Sequence, residues 1–225
     1  MLKLNKVTKK YDEKKIIDNL SIDIHEGEVL ALYGNNGSGK TTLISLIGGL
    51  TDFEGEIQLN DISLSCGREN YEYLRNVGML LNDLYSYDFM TVDEFIELNI
   101  NFKDIEDKSS LYSSKTELIE LLFLENFKNH LMKNLSLGTK QKVMLLLSLI
   151  HKPNLLLFDE PLVNLDTKSK ENTIDFLKSY INNNKAILVF SSHDLNLIKK
   201  LSNRILDMKD MKIYSVREEW RVNES

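Results

Sequence analysis

Between Glu28 and Leu50 the chain reads as a short apolar strand, a glycine-rich loop and then a helix, an order that few folds accept. The apolar run Glu28-Val-Leu-Ala-Leu-Tyr33 suits a strand buried on both faces. The loop Gly34-Asn35-Asn36-Gly37-Ser38-Gly39-Lys40-Thr41-Thr42 follows directly and fits G-x-x-x-x-G-K-[ST] in full. Leu43, Ile44, Leu46, Ile47 and Leu50 then recur at helical spacing. Glycines let such a loop curl so that several N–H groups converge on phosphate oxygens, and the following helix aims its positive end at the same point. Lys40 is placed to reach the β- and γ-phosphates of a nucleotide such as ATP, and the Thr41 hydroxyl to hold Mg2+.

A second chemical element is Leu155-Leu-Leu-Phe-Asp159-Glu160, an apolar strand ending in acid. A carboxylate at the carboxyl end of a strand sits where α/β sheets bind ligands. Asp159 is expected to anchor Mg2+ and Glu160 to act as general base toward an attacking water.

The rest of the chain alternates in the same manner. Strands are expected around Leu2 to Val7, Ile16 to Ile24, Glu54 to Leu59, Val77 to Leu81, Ala186 to Phe190 and Arg204 to Met208. Helices are expected over Leu118 to Leu124, Gly138 to Ile150, Thr167 to Asn183 and Asp194 to Ser202. Thr91-Val-Asp-Glu94 has the form of a capping box ahead of Phe95, Ile96, Leu98 and Ile100. This alternation predicts an α/β core with a mainly parallel sheet. Residues 1–216 are read as one domain with a helical sub-lobe over about 85–150, and 217–225 as a tail.

Charge and apolar content narrow the partners. Lys and Arg total 28 against 34 Asp and Glu, a net charge of −6, so nucleic acid is not expected as a partner. Cys66 is the single cysteine, which excludes an intrachain disulfide and fits a reducing compartment. The longest apolar runs, such as Val143 to Leu147, fall far short of the ~20 residues a membrane-spanning helix needs. His25, His130 and His151 are too scattered to suggest a metal site.

Leu135-Ser136-Leu137-Gly138-Thr139 opens a helix beginning Lys140-Gln-Lys-Val143; Asn164-Leu-Asp166 and Ser191-Ser-His193 come after the acidic pair. With the phosphate loop, this ordered set resembles the nucleotide-binding subunit of ATP-binding cassette (ABC) transporters from about Leu2 to Val216. The resemblance implies a P-loop NTPase core, an N-terminal antiparallel β region and a helical sub-lobe. It makes Tyr11 the adenine-stacking aromatic, Ser136 and Gly138 the signature that closes over the γ-phosphate of an opposite subunit, and His193 the switch histidine. Asn82 stands where the family normally has a Gln that touches Mg2+ or the attacking water, one methylene shorter.

The family's signature reads Leu-Ser-Gly-Gly-Gln; Leu137 and Thr139 depart from it. The Ser-Leu-Gly form followed by Lys-Gln-Lys is most like the ABC-2 export-type subfamily. The resemblance therefore implies an ATPase that powers export through a polytopic membrane permease on a separate chain. It would work as a homodimer, or as a heterodimer with a second ABC ATPase, in the cytoplasm on the inner face of the cell membrane. With the sequence ending soon after Val216, the extra regulatory domain of sugar-importer ATPases is not expected. Two alternatives stand beside this: an import-type ABC ATPase, and a soluble ABC ATPase such as an iron–sulfur assembly member. The stretch between Lys40 and Ser136 has no sustained heptads, unlike DNA-repair members with their coiled coils.

Overall fold

The computed structural model describes residues 1–65, 70–81, 87–103 and 107–216. Cys66, Asn82, Tyr85 and the 217–225 tail lie outside the described residues. Two sheets organise the chain. Strands β1 (Leu2–Tyr11), β2 (Lys14–Ile24), β4 (Glu54–Leu59) and β5 (Ile62–Leu64) form an antiparallel sheet in the order β2-β1-β4-β5. The second sheet runs β10-β9-β3-β8-β7-β6, from β3 (Val29–Tyr33), β6 (Val77–Leu80), β7 (Leu155–Asp159), β8 (Ile187–Ser191), β9 (Arg204–Asp207) and β10 (Lys212–Ser215). All its pairings are parallel except β10 against β9.

The unbroken apolar runs of β3, β7 and β8 have a direct cause. Leu30, Leu32, Leu155, Leu157, Ile187 and Val189 face one core, shared with helix α1 (Lys40–Ile47) and the antiparallel sheet. Ala31, Leu156, Phe158, Leu188 and Phe190 face the other, built from the helices within residues 92–201. Alternate side chains go to opposite faces, and both faces are covered, so every position short of the carboxyl ends is apolar.

The helices are α2 (Tyr71–Leu74), α3 (Val92–Phe102), α4 (Ser109–Leu121), α5 (Leu137–Leu149), α6 (Thr167–Asn184) and α7 (Leu195–Leu201). Thr91 closes its expected capping box on Glu94 in both directions. Helix α4 begins well before Leu118. Its amino-terminal half, Ser-Ser-Leu-Tyr-Ser-Ser, buries only Leu111 and Ser114, too sparse a stripe to read as helix, while Lys115 binds Asp93 and Glu97 on α3. Strands β5 and β10 and helix α2 were not expected, being three or four residues each. Among the described residues no helix is long and apolar enough to cross a membrane.

His151, given no role from sequence, is a structural group beneath the edge strand β6. Its Nε2–H donates to the Val77 carbonyl at 3.0 Å, while Nδ1 is buried without a hydrogen-bond partner. Burial pushes the imidazole down to about 4, and the nearby Lys103 adds in the same direction. Between about pH 6.5 and about pH 4 the unfolded chain binds a proton there and the folded chain does not. This contribution is complete above pH 6.5 and is lost on acidification, at about 1.4 kcal/mol per pH unit inside the window. Urea titrations across that range should show this slope in the wild type and its loss in His151→Gln.

Candidate active site

Parallel pairing brings three chemical segments to one edge. Strand β8 lies between β3 and β7, with Ser191 opposite both Leu32 and Asp159. The phosphate loop leaves β3, the acidic pair ends β7, and Ser191-Ser192-His193 ends β8. Their carboxyl ends therefore meet, the place where α/β sheets bind ligands.

The loop's curl needs glycine most clearly at Gly39, whose φ is +100°, and a Cβ there would come within 2.7 Å of Ile16 Cγ2. Inside the curl Lys40 is buried, and its ammonium donates to the carbonyls of Gly34 at 2.7 Å and Asn35 at 3.1 Å. Desolvation lowers the Lys40 pKa, against the opposing pull of Glu160 and Asp159. Asn35, Asn36, Gly37 and Thr41 are exposed, and Ser38 and Thr42 half-buried.

Asp159 is nearly inaccessible, and both its oxygens are satisfied. The Thr41 hydroxyl donates to Oδ2 at 2.7 Å and the Ser191 hydroxyl to Oδ1. The Glu160 N–H then donates to Ser191 Oγ at 2.9 Å. Glu160 itself has a left-handed backbone, φ +48°, uncommon for a residue with a Cβ. Its carboxyl Oε1 lies 3.2 Å from His193 Nε2, an ion-pair distance, and has no hydrogen-bond partner. Desolvation raises the Glu160 pKa, opposed by His193 and Lys40 and reinforced by Asp159.

These groups line one cleft of about 790 Å³. Lys40, Thr41, Thr42, Asp159, Glu160 and His193 share it with Tyr11 at its rim. Tyr11 is half exposed, and Lys9 Nζ lies over one face of its ring, 5.0 Å from the centroid. Lys9 is in turn held by Asp52. Sequence reasoning passed over Lys9, since a buried lysine beneath an aromatic leaves no local pattern.

Thr41 and Asp159 supply a hydroxyl and a carboxylate at one point beside the loop. Such an all-oxygen pair is the donor set for Mg2+ that keeps its remaining positions for phosphate and water. Among the described residues no group of three or more His, Cys, Asp or Glu could hold a metal, so the fit is to a shared ion of this kind rather than a dedicated protein cage.

Ser136 and Gly138 do not line the cleft. Ser136 caps α5, its Oγ accepting from the Thr139 N–H at 3.2 Å. Gly138 packs against the backbone of the same chain, since a Cβ there would sit 2.6 Å from the Asn164 carbonyl oxygen. That contact alone requires glycine at 138.

A family profile described as ABC transporter matches residues 17–163, well over half of the chain. The Fe(3+) ions import ATP-binding protein FbpC of Fusobacterium nucleatum is 31% identical over 218 residues, covering 94% of this chain and 56% of the relative. The spermidine/putrescine import ATP-binding protein PotA of Desulfitobacterium hafniense is 28% identical, covering 96% and 61%. The chain thus spans little more than half the length of these curated relatives. A solved dimeric bacterial ABC transporter cassette superposes with a TM-score of 0.86 at 29% identity, covering 96% of this chain and 99% of that one.

Ser191 holds both Asp159 and the strained Glu160 backbone, so Ser191→Ala should cost about 1–3 kcal/mol. Guanidinium unfolding of the variant beside the wild type measures it.

Proposed function

This chain belongs to the ABC transporter family, and from that premise we propose that it is the ATP-binding and ATP-hydrolysing subunit of a transporter. One observation carries the reading: Lys40, Thr41, Asp159, Glu160 and His193 line a single cleft at adjoining strand ends. Lys40 exchanges the Gly34 and Asn35 carbonyls for the β- and γ-phosphates, while N–H groups from Gly34 to Thr42 cradle them. Tyr11 stacks adenine on the ring face away from Lys9. Thr41 and Asp159 hold Mg2+, which when bound neutralises phosphate charge. Glu160 takes the proton of the attacking water, and desolvation favours the base by raising its pKa toward the working range. His193, 3.2 Å from Glu160, holds that carboxyl and reaches toward the γ-phosphate.

In this reading residues 1–216 act as one ATPase domain whose helices within about 85–150 face a membrane permease on a separate chain. The subunit is then cytoplasmic and peripheral on the inner face of the membrane. Asn82, outside the described residues, is retained as the counterpart of the family's Gln. Ser136 and Gly138, away from the cleft of their own chain, complete the cleft of a second copy or of a second ABC ATPase.

The direction of transport is revised here. The export reading rests on the Ser-Leu-Gly form followed by Lys-Gln-Lys, whereas the relatives above carry import names, which favours the import alternative. Thr139 hydrogen-bonds Ser136 within its own helix turn, at 2.9 Å between hydroxyls, and Leu137 is exposed beside it.

Glu160→Gln keeps the side chain's size but removes the proton acceptor. Hydrolysis should fall by about 10²–10⁴-fold with ATP affinity retained, and the stalled protein should collect as an ATP-dependent dimer. Phosphate release, nucleotide titration and light scattering behind size exclusion read the three effects. Ser136→Arg in the reconstituted transporter should abolish ATP-driven closure while the same chain still binds ATP; equal closure in both would refute the role of Ser136.

A further inference from the structure

Gln141 was noted in the sequence only as part of Lys140-Gln-Lys, and the site as described does not use it. Its side chain is buried, 4% exposed, and lies at the fifth residue of α5. Nε2 donates to the Glu160 carbonyl at 3.1 Å, and Oε1 accepts from the Asn164 N–H at 3.1 Å. The carbonyl can only accept and the N–H can only donate, so the amide is fixed in one orientation. No Asp or Glu could make both bonds while ionised, and no Lys could accept.

The residue that Gln141 grips, Glu160, is one of those with a left-handed backbone. Its N–H is bonded to Ser191 Oγ on β8, and its carbonyl is bonded to Gln141 on α5. The Val163 N–H reaches that carbonyl as well, at a long 3.4 Å. A left-handed non-glycine residue persists where its surroundings over-determine it. Here two side chains from different elements clamp both backbone polar groups of one residue. Gly138 lies three residues earlier on the same helix face and touches the Asn164 carbonyl directly. The turn carrying Ser136 and Gly138 and the segment Glu160–Asn164 are therefore joined at two points.

We propose that Gln141 is a positioning residue: its amide fixes the Glu160 carboxylate relative to the signature turn, so that engagement of Ser136 and Gly138 by a second nucleotide site also sets the base in its own. The inference rests on the ATPase reading above. It goes beyond it by naming the link between the cleft a chain builds and the turn it lends to another.

Gln141→Met keeps the volume and removes both hydrogen bonds. We expect KM for ATP within about twofold of the wild type and kcat lower by roughly 10–100-fold per nucleotide-binding-competent molecule, the usual effect of a displaced reacting group. Gln141→Glu keeps the acceptor for Asn164 and loses the donor to Glu160, and it should also lower kcat with KM retained. A packing role alone would reduce thermal stability and the competent fraction while leaving kcat per competent molecule unchanged, and that result overturns the proposal. If neither variant folds, amide exchange of the wild type decides: Asn164 N–H protected beyond its exposed neighbours supports the clamp, and exchange at the free-amide rate overturns it. A wild type that hydrolyses no ATP with Mg2+ would instead refute the ATPase reading, leaving the clamp to be judged by amide exchange.

Discussion

The buried carboxylate of Asp159 is the constraint around which the rest is arranged. A charge with so little access to water is tolerated only when each oxygen has a donor. Thr41 and Ser191 provide them, one from the helix after the phosphate loop and one from the end of the neighbouring strand. Satisfying one carboxylate thus ties together the three strand ends that line the cleft. The next residue inherits the consequence, because Glu160 must turn into a left-handed conformation to leave the sheet, which points its carboxyl at His193.

The two cores explain why this edge can be so polar. The central strands β3, β7 and β8 are apolar on both faces up to their carboxyl ends, so the sheet is held by burial and its rim is free to carry chemistry. Apolar contact fixes where β3, β7 and β8 sit, and hydrogen bonds at their ends fix which way each functional group faces.

Much of this was legible in the sequence because the signals are local. Strand, loop and helix around Gly34–Thr42 share one continuous segment, and so do β7 and its acidic pair. The Thr91 capping box was readable for the same reason. What escaped is non-local or sparse. Lys9 under Tyr11 depends on Asp52, more than forty residues away, and Gln141 acquires meaning only when α5 packs on the turn after β7. The amino-terminal half of α4 is held by Leu111 and by Lys115 bridging to α3, which no periodicity reveals. Transport direction is set by a separate membrane chain, and the Ser-Leu-Gly form with its following Lys-Gln-Lys is a weaker guide to it than the import names of the relatives.

The internal bonding of Lys40 alters what a measured affinity means. Its ammonium is desolvated and already holds two carbonyl oxygens of the loop. A polyphosphate arriving there does not add a charge contact to an otherwise idle group; it substitutes one set of oxygens for another. The observed binding free energy is then a difference between two well-made coordination shells, much smaller than either. In the proposed reading, a small difference of this kind would let the same lysine hold a nucleotide and release it without an energetic trap.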